Sequence, residues 1–92
     1  MDGEITTYPT DGVLDLHTFH PKDAADVTKE YLQACHKEGI CYVRIIHGKG
    51  TGTLRNTVHR VLERLTIVDY WQTPTDQSGW GATIVTLKNQ VD

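Results

Sequence analysis

The sequence predicts an α/β two-layer sandwich, a four-stranded mixed sheet (β-α-β-α-β-β) with two helices packed on one face. Three observations carry this reading. Four short runs, VLDLH, ICYVRII, TIVDYWQ and ATIVTLK, have strand length and β-branched content. Two intervening stretches repeat their apolar residues at helical spacing. Strand–helix–strand order calls for crossovers, and crossovers that step in one direction put both helices on the same side of the sheet.

The elements follow in order. Residues 1–11 hold Asp, Gly, Thr and Pro without periodicity and read as a polar tail or linker, which leaves 12–92 as one domain. VLDLH (13–17) alternates as a short strand that ends on an aspartate and a histidine. Pro21 suits the first turn of a helix, and Asp23 suits the positive end of its dipole. Ala24, Val27, Tyr31, Ala34 and Cys35 then form a stripe that Gly39 stops. ICYVRII (40–46) is almost continuously apolar, as expected of a strand that is central or covered on both faces. Leu54, Val58, Val61, Leu62 and Leu65 make a second amphipathic helix. TIVDYWQ (66–72) and ATIVTLK (82–88) are strands joined by the turn-rich TPTDQSGWG.

A 92-residue chain supports a single modest core. No apolar run approaches the roughly 20 residues of a membrane span, and the polar, acidic start is unlike a secretory leader, so no membrane partner is expected. Cys35 and Cys41 fall on a helix pattern and a strand start and read as reduced core residues of a cytoplasmic protein, with a monomer the expected state. The net charge of −3 argues against nonspecific coating of nucleic acid. The charge is uneven, however. Residues 1–42 carry −5, residues 43–64 carry +4 through Arg44, Lys49, Arg55, Arg60 and Arg64 against Glu63, and residues 65–92 return to −2.

That positive segment contains RIIHGKGTGTLR, a strand running into a glycine-rich turn and then a helix. Such a turn lets backbone approach an anion and aims unpaired amides at it. The spacing fits neither a Walker A loop nor the G-x-G-x-x-G dinucleotide fingerprint. If the strands that end in LDLH and IIH are neighbours and parallel, Asp15, His17, His47 and Lys49 converge over the glycines.

LDLH, a helix, VRIIHGKGTG and then GWGATIVTL together resemble the small MutS-related (Smr) domain over residues 13 to 88. The resemblance implies a nuclease-like domain that nicks DNA or cleaves RNA, on branched or structured substrates, in a repair complex or at the ribosome. The motif residues map to Asp15, His17, His47, Gly48, Lys49 and Gly50, and Thr18 stands where the family's LDLHG motif has its last glycine.

Phosphodiester cleavage needs a base, an acid and positive charge on the transition state. His17 and His47 are candidates for the acid and base, with Asp15 orienting His17 and Lys49 holding the phosphate. Gly48, Gly50, Thr51 and Gly52 are the candidate amide cradle, Arg55 and Arg60 outlying phosphate anchors, and Arg44 a supporting charge. Trp80, between glycines, is a candidate base-stacking residue. No cofactor is expected. The open alternative is a divalent ion, Mg or Mn, or a Zn or Mn site built on Asp15, His17 and His47, although neither paired cysteines nor HExxH accompany them. Two non-catalytic readings also stand: a module that docks on nucleic acid, ribosome or repair complex without cutting, and a protein-interaction domain using Tyr70, Trp71 and Trp80.

Overall fold

Four strands and two helices appear in the expected order in the computed structural model, which describes residues 11–50, 52–76 and 79–89. Residues 1–10 of the expected tail, and Thr51, lie outside the described residues. The strands are β1 (Val13–Asp15), β2 (Tyr42–Ile46), β3 (Val68–Gln72) and β4 (Ala82–Leu87), and the helices α1 (Ala24–Lys37) and α2 (Thr53–Arg64). The sheet order is β1-β2-β4-β3. β1 and β2 are parallel, with Asp15 opposite Ile46, and β4 runs antiparallel to both β2 and β3. The chain therefore carries β3 past an empty position, which its last strand then fills.

Both helices cover one face of the sheet. Val43 and Ile45 of β2, Val85 and Leu87 of β4, Val27, Tyr31, Leu32 and Cys35 of α1, and Val58 and Leu62 of α2 form one buried cluster. β2 is central, but its second face is not covered: Tyr42 is exposed there, and Arg44 and Ile46 are half-buried. Of the adjacent aromatics on β3, Trp71 packs against the core and Tyr70 is exposed.

The first strand is shorter than VLDLH suggests. The Asp15 carboxylate accepts the His17 backbone N–H (2.9 Å), and the Thr18 hydroxyl donates to the Asp15 carbonyl (3.1 Å). These local bonds compete with the ladder and turn Leu16–Thr18 into a single 3-10 turn. No described non-glycine residue has positive φ, so Thr18 occupies the family's glycine position without left-handed strain.

Candidate active site at the glycine loop

Parallel pairing of β1 and β2 brings their C-terminal ends to one sheet edge, where the His17 turn meets the loop that begins at His47. The two histidines are adjacent but unlike. The His17 side chain is 59% exposed, and its Nδ1 lies 3.1 Å from Asp15 Oδ1. Its Nε2 sits directly over Gly48, only 2.6 Å from where a Cβ would project. Gly48 also has φ +80°, so its lack of a side chain serves both the backbone turn and the approach of the imidazole.

His47 is in phase with Val43 and Ile45, faces the helices, and is 3% exposed. Both of its ring nitrogens are engaged internally: Nδ1 with the Gly48 carbonyl at 3.2 Å, Nε2 with Thr83 Oγ1 at 2.9 Å. Burial is the main cause that pushes its pKa below the ordinary 6.5; Arg55 and His17 add to this, and the Gly48 and Ala82 carbonyls oppose it. His59 on α2 bonds the same Thr83 hydroxyl at 3.1 Å and lies against Trp71 at 6.0 Å between ring centroids. Its pKa is also lowered, chiefly by burial, then by Arg55 and His47, with Glu63 opposing.

The loop itself is anchored by β4. The Gly81 carbonyl accepts the backbone N–H of both His47 and Gly48 (2.9 Å each). The Gly48 amide is thereby committed inside the fold, whereas the N–H groups of Lys49, Gly50 and Gly52 have no acceptor among the described residues. Gly52, at φ +89°, starts α2, and its carbonyl accepts the first-turn N–H of Asn56. Lys49 is exposed, with its Cγ 3.4 Å from where a Cβ on Gly81 would lie. Gly48, Lys49, Gly50, Gly52, Arg55 and Trp80 line a cleft of about 170 Å³. Trp80 is 67% exposed and carries the Arg55 guanidinium 4.8 Å above its ring.

Among the sequence-derived candidates, Asp15, His17, His47, Lys49, Gly48, Gly50, Gly52, Arg55 and Trp80 thus share one edge of the sheet. Arg44 does not join them. It points to the uncovered face and pairs with Asp76 at 2.8 Å. Arg60 lies further along α2, in a groove with Ala25, Thr57, Val61 and Arg64 that runs on to Lys29 and Asp26. Among the described residues Lys29, Arg60 and Arg64 have no ion pair. No group of three His, Cys, Asp or Glu side chains among the described residues is arranged to hold a metal ion, and no described helix is long and apolar enough to cross a membrane.

Sequence reasoning missed His59, Gly81 and Thr83. The available signals were modest: Thr83 shares strand parity with the buried Val85 and Leu87, and His59 borders the apolar stripe between Val58 and Leu62.

The profile of the Smr domain family matches residues 14–88. The chain belongs to the Smr domain family. It is 35% identical over 86 residues to endonuclease MutS2 of Thermomicrobium roseum, covering 91% of this chain and 11% of that protein. Identity to endonuclease MutS2 of Lactobacillus gasseri is 42% over 76 residues, covering 82% and 10%. The chain thus spans about a tenth of the length of these relatives. Its fold superposes on the Smr domain of Thermus thermophilus MutS2 with a TM-score of 0.76 at 30% identity, covering 83% of this chain and 96% of that one. It likewise matches YdaL, a stand-alone small MutS-related protein of Escherichia coli, with a TM-score of 0.79 at 27% identity, covering 90% and 69%.

Proposed function

We propose that this Smr domain binds nucleic acid through its glycine loop and cleaves the phosphodiester seated there, RNA in preference to DNA. The observation that carries the reading is the placement of His17. Its imidazole is exposed, backed by Asp15, and set over a loop whose Lys49, Gly50 and Gly52 amides have no acceptor among the described residues and can meet an anion. Asp15 accepting from Nδ1–H leaves Nε2 as the basic nitrogen at the loop.

In this scheme His17 Nε2 takes the proton of an RNA 2′-hydroxyl. The 2′-oxygen bonds to phosphorus, the bond from phosphorus to the 5′-oxygen breaks, and the Lys49 ammonium protonates the leaving oxygen. The products are a cyclic 2′,3′-phosphate and a 5′-hydroxyl. DNA has no such built-in nucleophile and would need a positioned water, which is slower. His47, with both nitrogens engaged in the fold, holds the loop rather than exchanging a proton with substrate. The endonuclease names of the MutS2 relatives accord with cleavage.

Arg55, with the adjacent Trp80, offers charge and a stacking face at the cleft, and the groove of Arg60, Arg64 and Lys29 extends the positive path along α2. No divalent ion takes part in the scheme. The free thiols Cys35 and Cys41 accord with a cytoplasmic setting. The deciding experiment is a gel assay on matched single-stranded, duplex and branched RNA and DNA, with and without chelator. Cleavage of RNA that survives chelator supports the reading; binding without turnover on every substrate replaces it with a docking module.

A further inference from the structure

We infer that Thr83 and His59 are positioning residues: a one-way hydrogen-bond relay, His59 to Thr83 to His47 to the Gly48 carbonyl, turns the Lys49 amide toward the phosphate site. The direction follows from donor counting. A carbonyl only accepts, so His47 Nδ1 carries the hydrogen that meets Gly48 at 3.2 Å. A neutral imidazole has one N–H, so His47 Nε2 is bare and accepts the Thr83 hydroxyl hydrogen at 2.9 Å. That hydroxyl has no second hydrogen, so its contact with His59 at 3.1 Å is donated by His59 Nε2–H. With both rings neutral this assignment satisfies all three contacts, and burial of both rings favours their neutral forms.

The consequence falls on the next peptide. The Gly48–Lys49 bond is trans, so its C=O and N–H point in opposite directions. Holding the Gly48 carbonyl against His47 therefore directs the Lys49 N–H away from the buried ring, and no described residue accepts that N–H. Gly48 has the freedom to flip, being a glycine, and the relay removes that freedom. The buried imidazole, at the start of the loop, thus sets the polarity of the loop. What the amide meets, a nucleic-acid phosphate, rests on the function proposed above.

The test is nitrogen-15 NMR of the histidine side chains and the loop amides, joined to cleavage kinetics. The expected wild-type pattern is Nδ1–H on His47 and Nε2–H on His59. The Nε2–H form on His47 overturns the relay at once. Thr83→Val, which keeps the shape and removes the hydroxyl, should shift the Lys49 amide signal and mix the His47 tautomers. It should lower kcat/KM on RNA roughly tenfold, the scale of one hydrogen bond, whereas Thr83→Ser should restore both. His59→Phe keeps a ring on Trp71 but removes the donor, and should move the Lys49 amide part of the way. An unmoved Lys49 amide in Thr83→Val and His59→Phe, or Thr83→Ser behaving like Thr83→Val, overturns the inference. If Thr83→Val does not fold, the wild-type tautomers and Thr83→Ser still decide. The tautomer measurements contain no nucleic acid, so a wild-type protein that cuts nothing counts against the proposed function and leaves the relay to be judged on its own.

Discussion

His17 Nε2 lies 2.6 Å from the point that a Cβ on Gly48 would occupy, so the first motif and the glycine loop are in direct contact. The substitution Gly48→Ala attacks this contact twice. The new methyl displaces the imidazole, and an alanine at φ +80° costs about 1–3 kcal/mol of backbone strain. Thermal unfolding should show a modest loss of stability, and RNA cleavage a much larger loss. A rate within a factor of two of wild type would show that His17 has no work to do at that position.

Removing the imidazole separates binding from chemistry. His17→Ala should lower the cleavage rate by about 10²–10⁴, the range of a lost general base, while RNA affinity changes little. Asp15→Asn should have a smaller effect on rate, because the ring stays but loses the carboxylate that sets its tautomer. Single-turnover rates and a binding isotherm on the same RNA distinguish the two; equal losses of affinity and rate in His17→Ala would make it a binding residue.

The nucleophile is testable in the substrate. An RNA with one 2′-deoxy sugar at the cleavage position should resist cutting there while binding normally. Normal-rate cleavage of that RNA, or activity lost to chelator and restored by Mg²⁺ or Mn²⁺, would sink the proposed chemistry.

Arg55 and Arg60 sit at different distances from the cleft but act on the same long-range attraction. Arg55→Ala and Arg60→Ala should each reduce the slope of log affinity against log salt by about one. Arg55→Ala should also weaken binding at high salt, since it strips the guanidinium from the Trp80 ring. Titrations at several salt concentrations decide the matter, and unchanged slopes in both variants would leave these arginines as solvated surface.

The two buried histidines make stability depend on pH. Both pKa values are lowered in the fold from 6.5, so below that value the unfolded chain binds protons that the native one refuses. Their contribution is complete above about pH 6.5 and is lost as pH falls through the lowered native values. Asp11, also lowered, acts in a separate window below 3.8. Melting temperature should therefore fall as pH drops below 6.5, and His59→Phe should flatten that fall. A pH-independent melting temperature between 7 and about 5 would contradict the burial of these rings.

Much of this architecture was legible in the residues. Strand and helix periodicity placed the four strands and two helices, and LDLH and RIIH marked two strand ends whose meeting needed only parallel pairing of β1 and β2. The parity of Val43, Ile45 and His47 even marks His47 as inward-facing. Strand limits were less legible, because Asp15 uses its own carboxylate to turn the chain after three residues, a competition between local and ladder hydrogen bonds that alternation does not reveal. What only the tertiary structure decided is the insertion of β4 between β2 and β3. Strand partners are chosen by packing across the whole chain, and no local pattern states which position in the sheet a last strand will fill. That choice brings the Gly81 carbonyl to the His47 and Gly48 amides and the Thr83 hydroxyl between two histidines. The Gly48 amide is thereby committed inside the fold, and the Lys49, Gly50 and Gly52 amides are left without an acceptor among the described residues.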